Sequence, residues 1–252
     1  MKHGDFSILA KYYSNRPGYS PIIIKTLISY IGALKEGFVV ADIGAGTGKL
    51  TSMLDCFGIG GFAVEPSNNM RIIGEKSVKN FMWSKGIAED TGLKNSSVDW
   101  VMMASSFHWA DSKKALKEFY RILKPGGFLT ILWNPRDIEK SEVEKAVELI
   151  IKNFIPNLKR VSSGSQTNTK NWGEVLTSGK KFKNLVFMEA PHFELMSKER
   201  YLGVWRSVND IQVQAGKLIF QKILKEISKI ISSKNLIRTA YKTRAWTVQS
   251  IK

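Results

Sequence analysis

The run Val39-Val40-Ala41-Asp42-Ile43-Gly44-Ala45-Gly46-Thr47-Gly48-Lys49-Leu50 constrains the fold of this chain more than any other stretch. It reads as a short buried parallel strand, Phe38 to Ile43, that carries Asp42 to its carboxyl end. The glycines that follow let the backbone turn sharply beside a ligand, and in an open α/β sheet that is where ligands bind. The glycine spacing discriminates among ligands. A dinucleotide fingerprint requires G-x-G-x-x-G, and position 49 is lysine; a phosphate-binding loop requires Gly-Lys-Ser/Thr, and Gly48-Lys49 is followed by Leu50. What remains is D-x-G-x-G-x-G. An acid placed there repels a phosphate and attracts an ammonium, such as the amino group of a methionine moiety.

A second carboxylate refines the reading. Glu65 ends the next apolar run, Phe62-Ala63-Val64-Glu65-Pro66, 23 residues after Asp42. At a strand end it can accept both hydroxyls of a ribose. NAD proteins use the same device, so the glutamate alone is weak evidence. Together with a glycine loop unsuited to phosphate it points to a nucleoside without phosphates, and S-adenosylmethionine satisfies both conditions.

The rest of the chain supplies strands and helices in alternation. A helix is expected over 21–34, with Ser20 as N-cap, Pro21 in its first turn and Ile23, Leu27, Ile31 and Leu34 on one face. Helices are expected at Lys49–Phe57, Ser67–Lys76 and Asp111–Leu123, and strands at Gly61–Glu65, Phe81–Ser84 and Ser97–Ala104. Lys124-Pro125-Gly126-Gly127 reads as a turn before the strand Phe128–Trp133. Such alternation implies a parallel sheet covered on both faces. Beyond Pro135 the pattern predicts helices at Ile138–Phe154, Lys198–Val208 and Ala215–Ser232, a polar loop at Val161–Asn171, and strands at Phe187–Leu195 and Leu236–Gln249. The last strand is expected to pair antiparallel with the one before it.

Composition narrows the function classes. No apolar run approaches the ~20 residues of a membrane helix, and Met1-Lys2-His3-Gly4-Asp5 lacks the apolar stretch of a signal peptide. One cysteine, Cys56, excludes an intramolecular disulfide, and three scattered histidines argue against a metal site, so the expected compartment is the cytoplasm. The net charge of +16 is uneven: residues 1–134 hold 16 basic and 11 acidic side chains, residues 135–252 hold 22 and 11. That excess suits an anionic partner or a lysine-rich solvated surface. No basic stretch is interleaved with aromatics as a single-strand-binding groove requires, so nucleic acid is not the expected partner.

The ordered set Val39–Leu50, Val64-Glu65-Pro66, Gly86-Ile87-Ala88-Glu89-Asp90, Val98–Ala104 and Ile122-Leu123-Lys124-Pro125-Gly126-Gly127 resembles the successive motifs of class I S-adenosylmethionine-dependent methyltransferases of type 11. Tyr13-Ser14-Asn15-Arg16-Pro17-Gly18-Tyr19 and Ser106-Phe107-His108-Trp109-Ala110-Asp111 are similar to the small-molecule branch that includes trans-aconitate and ubiquinone/menaquinone methyltransferases. The resemblance covers roughly residues 6 to 136. It implies a Rossmann-like α/β fold: a seven-stranded, mostly parallel sheet with an antiparallel last strand, helices on both faces and a helical lid or insertion. On that basis the whole chain is expected to be a single domain. It would comprise an N-terminal arm and helix (1–36), a cofactor-binding core (37–136), an insertion (137–182), and C-terminal strands and substrate-cover helices (183–252).

The same resemblance assigns roles by position. Asp42 and the backbone of Gly44, Ala45, Gly46 and Gly48 would hold the methionine part, Glu65 the ribose, and Pro66 and Met70 would border the adenine. Ala88 would bond the adenine through its backbone, Glu89 would face the exocyclic amine, and Ser105 would flank the methionine moiety. Arg16 and Tyr19 belong to an arm that closes over the cofactor in relatives, Arg16 toward the methionine carboxylate; the alternative is a surface arginine before a Pro-Gly turn. Ile87 departs from the pattern, since many relatives carry a polar residue there, which puts more of the adenine recognition on Glu89.

For the acceptor side, His108 reads as a general base or substrate contact, or else as a structural histidine. Phe107, Trp109 and Trp133 line an apolar acceptor pocket or belong to the core. Trp172, Tyr201, Trp205 and Arg206 lie in segments that relatives use as substrate cover, and Trp205 and Arg206 suit a carboxylate-bearing acceptor. Met53, Leu54 and Cys56 read as a packed helix face, and His3 and His192 suggest no role. The function expected is methyl transfer to a small organic acceptor, a carboxylate first, by a monomer or homodimer. An RNA or tRNA methyltransferase, and a non-catalytic cofactor-binding scaffold, are the alternatives.

Overall fold

In a computed structural model the described residues are 6–160 and 171–252. The polar loop expected at 161–171 lies almost wholly outside them, as does His3. The strands are β1 (Val39–Ile43), β2 (Gly60–Val64), β3 (Phe81–Ser84), β4 (Val98–Ala104), β5 (Leu123–Trp133), β6 (Phe182–Met196) and β7 (Ile237–Ser250). The helices are α1 (Phe6–Tyr13), α2 (Pro21–Ile31), α3 (Lys49–Asp55), α4 (Asn68–Ser77), α5 (Ser112–Ile122), α6 (Glu142–Phe154), α7 (Trp172–Thr177), α8 (Lys198–Arg206) and α9 (Asn209–Ile230). The strands form one sheet in the order β3-β2-β1-β4-β5-β7-β6. From β3 to β5 neighbours run parallel, and β7 runs antiparallel to β5, Leu129 opposite Val248. Asn184 meets Gln249, Phe187 meets Trp246, Glu189 meets Arg244 and His192 meets Tyr241, so β6 and β7 are antiparallel too. This is the expected class I architecture.

The chain divides into two compact units, with boundaries inside β6 and β7. The larger comprises Gly18–Trp133, Thr169–Ala190 and Thr243–Lys252. Side chains alternate across its central strands and so feed two cores. Val40, Trp100, Met102 and Leu132 pack with Ile24, Leu27 and Ile28 of α2 and with Leu50 and Leu54 of α3. Ala41, Val101, Met103 and Ile131 pack with Ala115, Phe119 and Ile122 of α5 and with Leu176 of α7. Helices therefore cover both faces. Pro21 sits in the first turn of α2, and Gly32, at φ 71°, ends it with its N–H on the Ile28 and Ser29 carbonyls. Leu34, beyond that cap, is exposed rather than part of the packed face. Asp111 caps α5 by accepting from the Lys113 and Lys114 amides at 3.1 and 3.2 Å.

The smaller unit comprises Met1–Pro17, Asn134–Asn168 and Pro191–Lys242. Its core joins Val147 and Ile151 of α6, Tyr201, Val204 and Trp205 of α8, and Ile211, Ile223 and Ile227 of α9, with Ile237 and Tyr241 of β7.

Three expectations are corrected. Lys124-Pro125-Gly126-Gly127 lies inside β5: Leu123 already pairs with Val98, and the register slips before Trp100 pairs with Phe128. Gly126, at φ 72°, absorbs that bulge. The helix expected from Ala215 begins at Asn209 and breaks at Gly216, whose φ of 69° and ψ of 166° are non-helical. The buried series Ile211, Ala215 then resumes one residue late at Phe220, Ile223, Ile227, and that slip hid the first segment. Cys56 caps α3 and is exposed, whereas Leu54 is fully buried.

Candidate functional site

The strand order reverses at β1: β2 and β3 lie on one side, β4 and β5 on the other. In a parallel sheet this opens a crevice at the carboxyl strand ends. Asp42, Glu65 and Ser105 stand at the carboxyl ends of β1, β2 and β4, three adjacent strands.

Asp42 is fully buried. Its Oδ2 accepts a 2.7 Å hydrogen bond from Thr51 Oγ1, while Oδ1 is buried and has no partner among the described residues. Loss of hydration pushes its carboxyl up to about 7; the Thr51 hydrogen bond opposes the rise and the Glu65 charge adds to it. Gly44, Gly46 and Gly48 have φ of 69°, 60° and 85°, a left-handed path that side chains oppose. The Gly44 amide donates to the Val64 carbonyl at 2.8 Å, which ties the loop to β2.

Glu65 is buried, and it completes this cradle. Its Oε2 accepts from the Gly46 amide and its Oε1 from the Ser67 amide, both at 2.8 Å. Burial is the largest influence and raises its carboxyl, with those two bonds and Arg71 opposing. Each oxygen keeps a second lone-pair position, enough for one ribose hydroxyl apiece. Met70 is buried, with its sulfur 3.9 Å from where a Cβ on Gly46 would stand, and Pro66 is exposed. Ala88 is buried between Ile87 and Glu89; Ile87, exposed, bridges to Asp90. The Glu89 carboxylate accepts the Asp111 amide at 2.6 Å and thereby anchors the start of α5.

At the end of β4, Ser105 has φ of 52°, a left-handed backbone that costs a non-glycine residue about 1 kcal/mol or more and marks functional sites. Its Oγ accepts from Tyr19 Oη at 3.1 Å, so two expected site residues meet. The turn Phe107–Trp109 follows. Phe107 is fully buried against Phe119 and Trp172, with ring centroids at 6.3 and 5.6 Å, and is a core residue. Trp133 stacks on Trp172 at 4.6 Å and 18°, and meets Trp246 edge-on at 5.6 Å. Its indole N–H donates to His108 Nδ1 at 3.2 Å, and the His108 ring lies 4.6 Å from that of Trp109.

Residues 41–131 match the profile of a family described as a methyltransferase domain. An uncharacterized methyltransferase of Mycobacterium tuberculosis is 35% identical over 156 residues, 62% of this chain and 62% of that protein. The chain thus spans less than two thirds of the length of this relative. An uncharacterized methyltransferase of Schizosaccharomyces pombe is 29% identical over 229 residues, 89% of this chain and 86% of that one. Among solved structures, a putative type II methyltransferase from Anaeromyxobacter dehalogenans shares the fold with a TM-score of 0.62 and 20% identity, over 92% of this chain and 97% of that one.

The matched residues 41–131 lie within the larger unit, and the remaining expected residues belong to the smaller one. There Arg16 donates from Nε to Ser207 Oγ at 2.9 Å and from Nη2 to the Ser207 carbonyl at 2.8 Å, with its guanidinium 4.2 Å over the Tyr13 ring. Trp205 is buried beneath the guanidinium of Arg136, 4.0 Å from its ring. Arg206 borders a cleft of about 740 Å³ with Tyr12, Lys217, Phe220, Leu224 and Lys225.

Sequence reasoning missed Arg136. Its side chain is 11% exposed and its Nε is buried, 3.2 Å from Oε2 of the fully buried Glu144, whose Oε1 accepts from Tyr201 Oη at 2.8 Å. A basic residue directly after the Trp133-Asn134-Pro135 strand end was the available signal. Among the described residues no His/Cys/Asp/Glu cluster could hold a metal, and no helix is long and apolar enough to cross a membrane.

Proposed function

We propose that the protein is an S-adenosylmethionine-dependent methyltransferase that methylates a small organic acceptor, with a carboxylate first among candidates. The buried, unpartnered Asp42 Oδ1 carries the reading. A carboxylate oxygen without a donor, beside a second carboxylate and no basic side chain among its hydrogen-bond partners, favours a cation. The methionine ammonium is such a cation, and Glu65 stands at the neighbouring strand end for the ribose. These residues fit the cofactor.

In this reading Asp42 and the Gly44–Gly48 backbone hold the methionine part, Met70 and Pro66 border the adenine, and Ala88 and Glu89 read its polar edge. Ser105, held by Tyr19, flanks the methionine moiety. When bound, the cofactor supplies an electrophilic methyl carbon: the acceptor–carbon bond forms as the carbon–sulfur bond breaks, and its electron pair stays on sulfur. The residues around it bind and orient, which supplies much of the acceleration of a displacement between two held partners. The basic balance of residues 135–252 favours an anionic acceptor.

Incubation with methyl-labelled cofactor and a mixture of small carboxylic acids tests the proposal. Label is expected in base-labile esters, and none with Asp42→Ala. Label in added RNA would transfer the activity to the nucleic-acid class. Cofactor binding without label in any acceptor would leave the scaffold reading.

A further inference from the structure

An indole N–H can only donate a hydrogen bond, so the nitrogen that receives it must carry a lone pair and no proton. In this structure that nitrogen is His108 Nδ1, 3.2 Å from Trp133 Nε1. The donor is held in place. Trp133 is packed face to face against Trp172 at 4.6 Å and edge-on against Trp246 at 5.6 Å, and it ends β5, whose preceding residues pair on both sides, with β4 and with β7. A neutral imidazole has one ring proton. With Nδ1 occupied as an acceptor, that proton sits on Nε2.

We propose that Trp133 is a positioning residue that fixes His108 as its Nε2–H tautomer, so that His108 serves methyl transfer as a hydrogen-bond donor and not as a general base. This rests on the methyltransferase reading above. In the fixed tautomer neither nitrogen can take a proton from an acceptor: the Nδ1 lone pair faces the indole, and Nε2 already carries hydrogen. The acceptor that fits is one whose attacking atom needs no deprotonation, an oxyanion first. Its oxygen bonds to the methyl carbon, the carbon–sulfur bond breaks with its electrons left on sulfur, and no proton changes hands. An Nε2–H donor that reaches the oxyanion would orient it. An alcohol or phenol, which must lose a proton to react, does not fit.

The tautomer can be read without cofactor or acceptor, so the result is separable from the fate of the methyltransferase reading. In ¹⁵N-histidine-labelled protein near neutral pH, long-range ¹H–¹⁵N spectra are expected to show His108 Nδ1 with a pyridine-like shift and Nε2 with a pyrrole-like one. The bias should weaken in Trp133→Phe. A pyrrole-like Nδ1 in the wild type overturns the proposal even if Trp133→Phe fails to fold. Kinetics give a second reading: His108→Asn keeps a donor and is expected to retain activity within about tenfold, whereas His108→Ala loses roughly a hundredfold. Loss of at least about a hundredfold in both variants, as removal of a general base gives, contradicts it.

Discussion

Asp42 and Glu118 are both buried carboxylates of the larger unit, yet their environments push them in opposite directions. Burial raises Asp42 to about 7, because among the described residues only Thr51 donates to it, from its hydroxyl and its amide, and Glu65 adds a like charge. Burial also acts to raise Glu118, on α5, but it is outweighed there. Arg121 reaches both its oxygens at 2.7 Å, Thr91 donates from its hydroxyl at 2.6 Å and from its amide at 2.9 Å, and the carboxyl falls to about 2. The difference separates a structural staple from a ligand site. Glu118 is saturated by its own chain and ties the loop before β4 to α5. Asp42 is left one donor short where three strands end, and in the proposed function the methionine ammonium would complete it.

Replacing Asp42 should break the comparison most strongly. Asp42→Asn removes the charge that receives the ammonium, and calorimetry is expected to show S-adenosylhomocysteine affinity falling by about a hundredfold, near 3 kcal/mol. The ligand-free variant should at the same time become more stable at pH 8. The sign follows from linkage: a carboxyl raised from 3.8 to about 7 contributes stability that is complete below 3.8 and lost as pH rises through 7. The cost of ionised Asp42 reaches up to about 4 kcal/mol, so melting curves should show wild type losing stability over that window and the variant lacking this component.

Glu118→Gln should act the other way. A carboxyl lowered from 4.5 to about 2 contributes stability present above 4.5 and lost as pH falls toward 2. Denaturant titration at pH 7 is expected to show a loss of about 2 kcal/mol after allowing for solvent around the half-exposed Arg121, a gap that narrows as pH falls below 4.5. Cofactor affinity should stay unchanged. The smallest effect is expected from Gly46→Ala. No neighbour clashes, but φ of 60° makes the substitution cost about 1 kcal/mol, with a severalfold weaker affinity in the same titration.

What could be read in the sequence follows the same division. The strand-to-glycine turn and the carboxylates at the strand ends were legible because their determinants are local: three glycines within five residues, with Asp42 and Glu65 each closing an apolar run. The wiring between them was not. The bond from the Gly46 amide to Glu65 joins two loops that sequence order leaves separate, and the Trp133–His108 bond depends on β4 and β5 being neighbours. Pro-Gly-Gly chemistry suggested a turn where parallel pairing with β4 extends the strand. In the smaller unit, Arg136 gave no periodic signal, because its partner Glu144 comes from another element.

The most direct test of Asp42 as the ammonium-binding carboxylate is calorimetric titration with S-adenosylhomocysteine from pH 5.5 to 8, on wild type and Asp42→Asn. In wild type, affinity should rise about tenfold per pH unit up to pH 7, as Asp42 ionises, and then level; the variant should bind weakly without that rise. Equal affinity in the two proteins, or wild-type binding indifferent to pH, would contradict the assignment of Asp42.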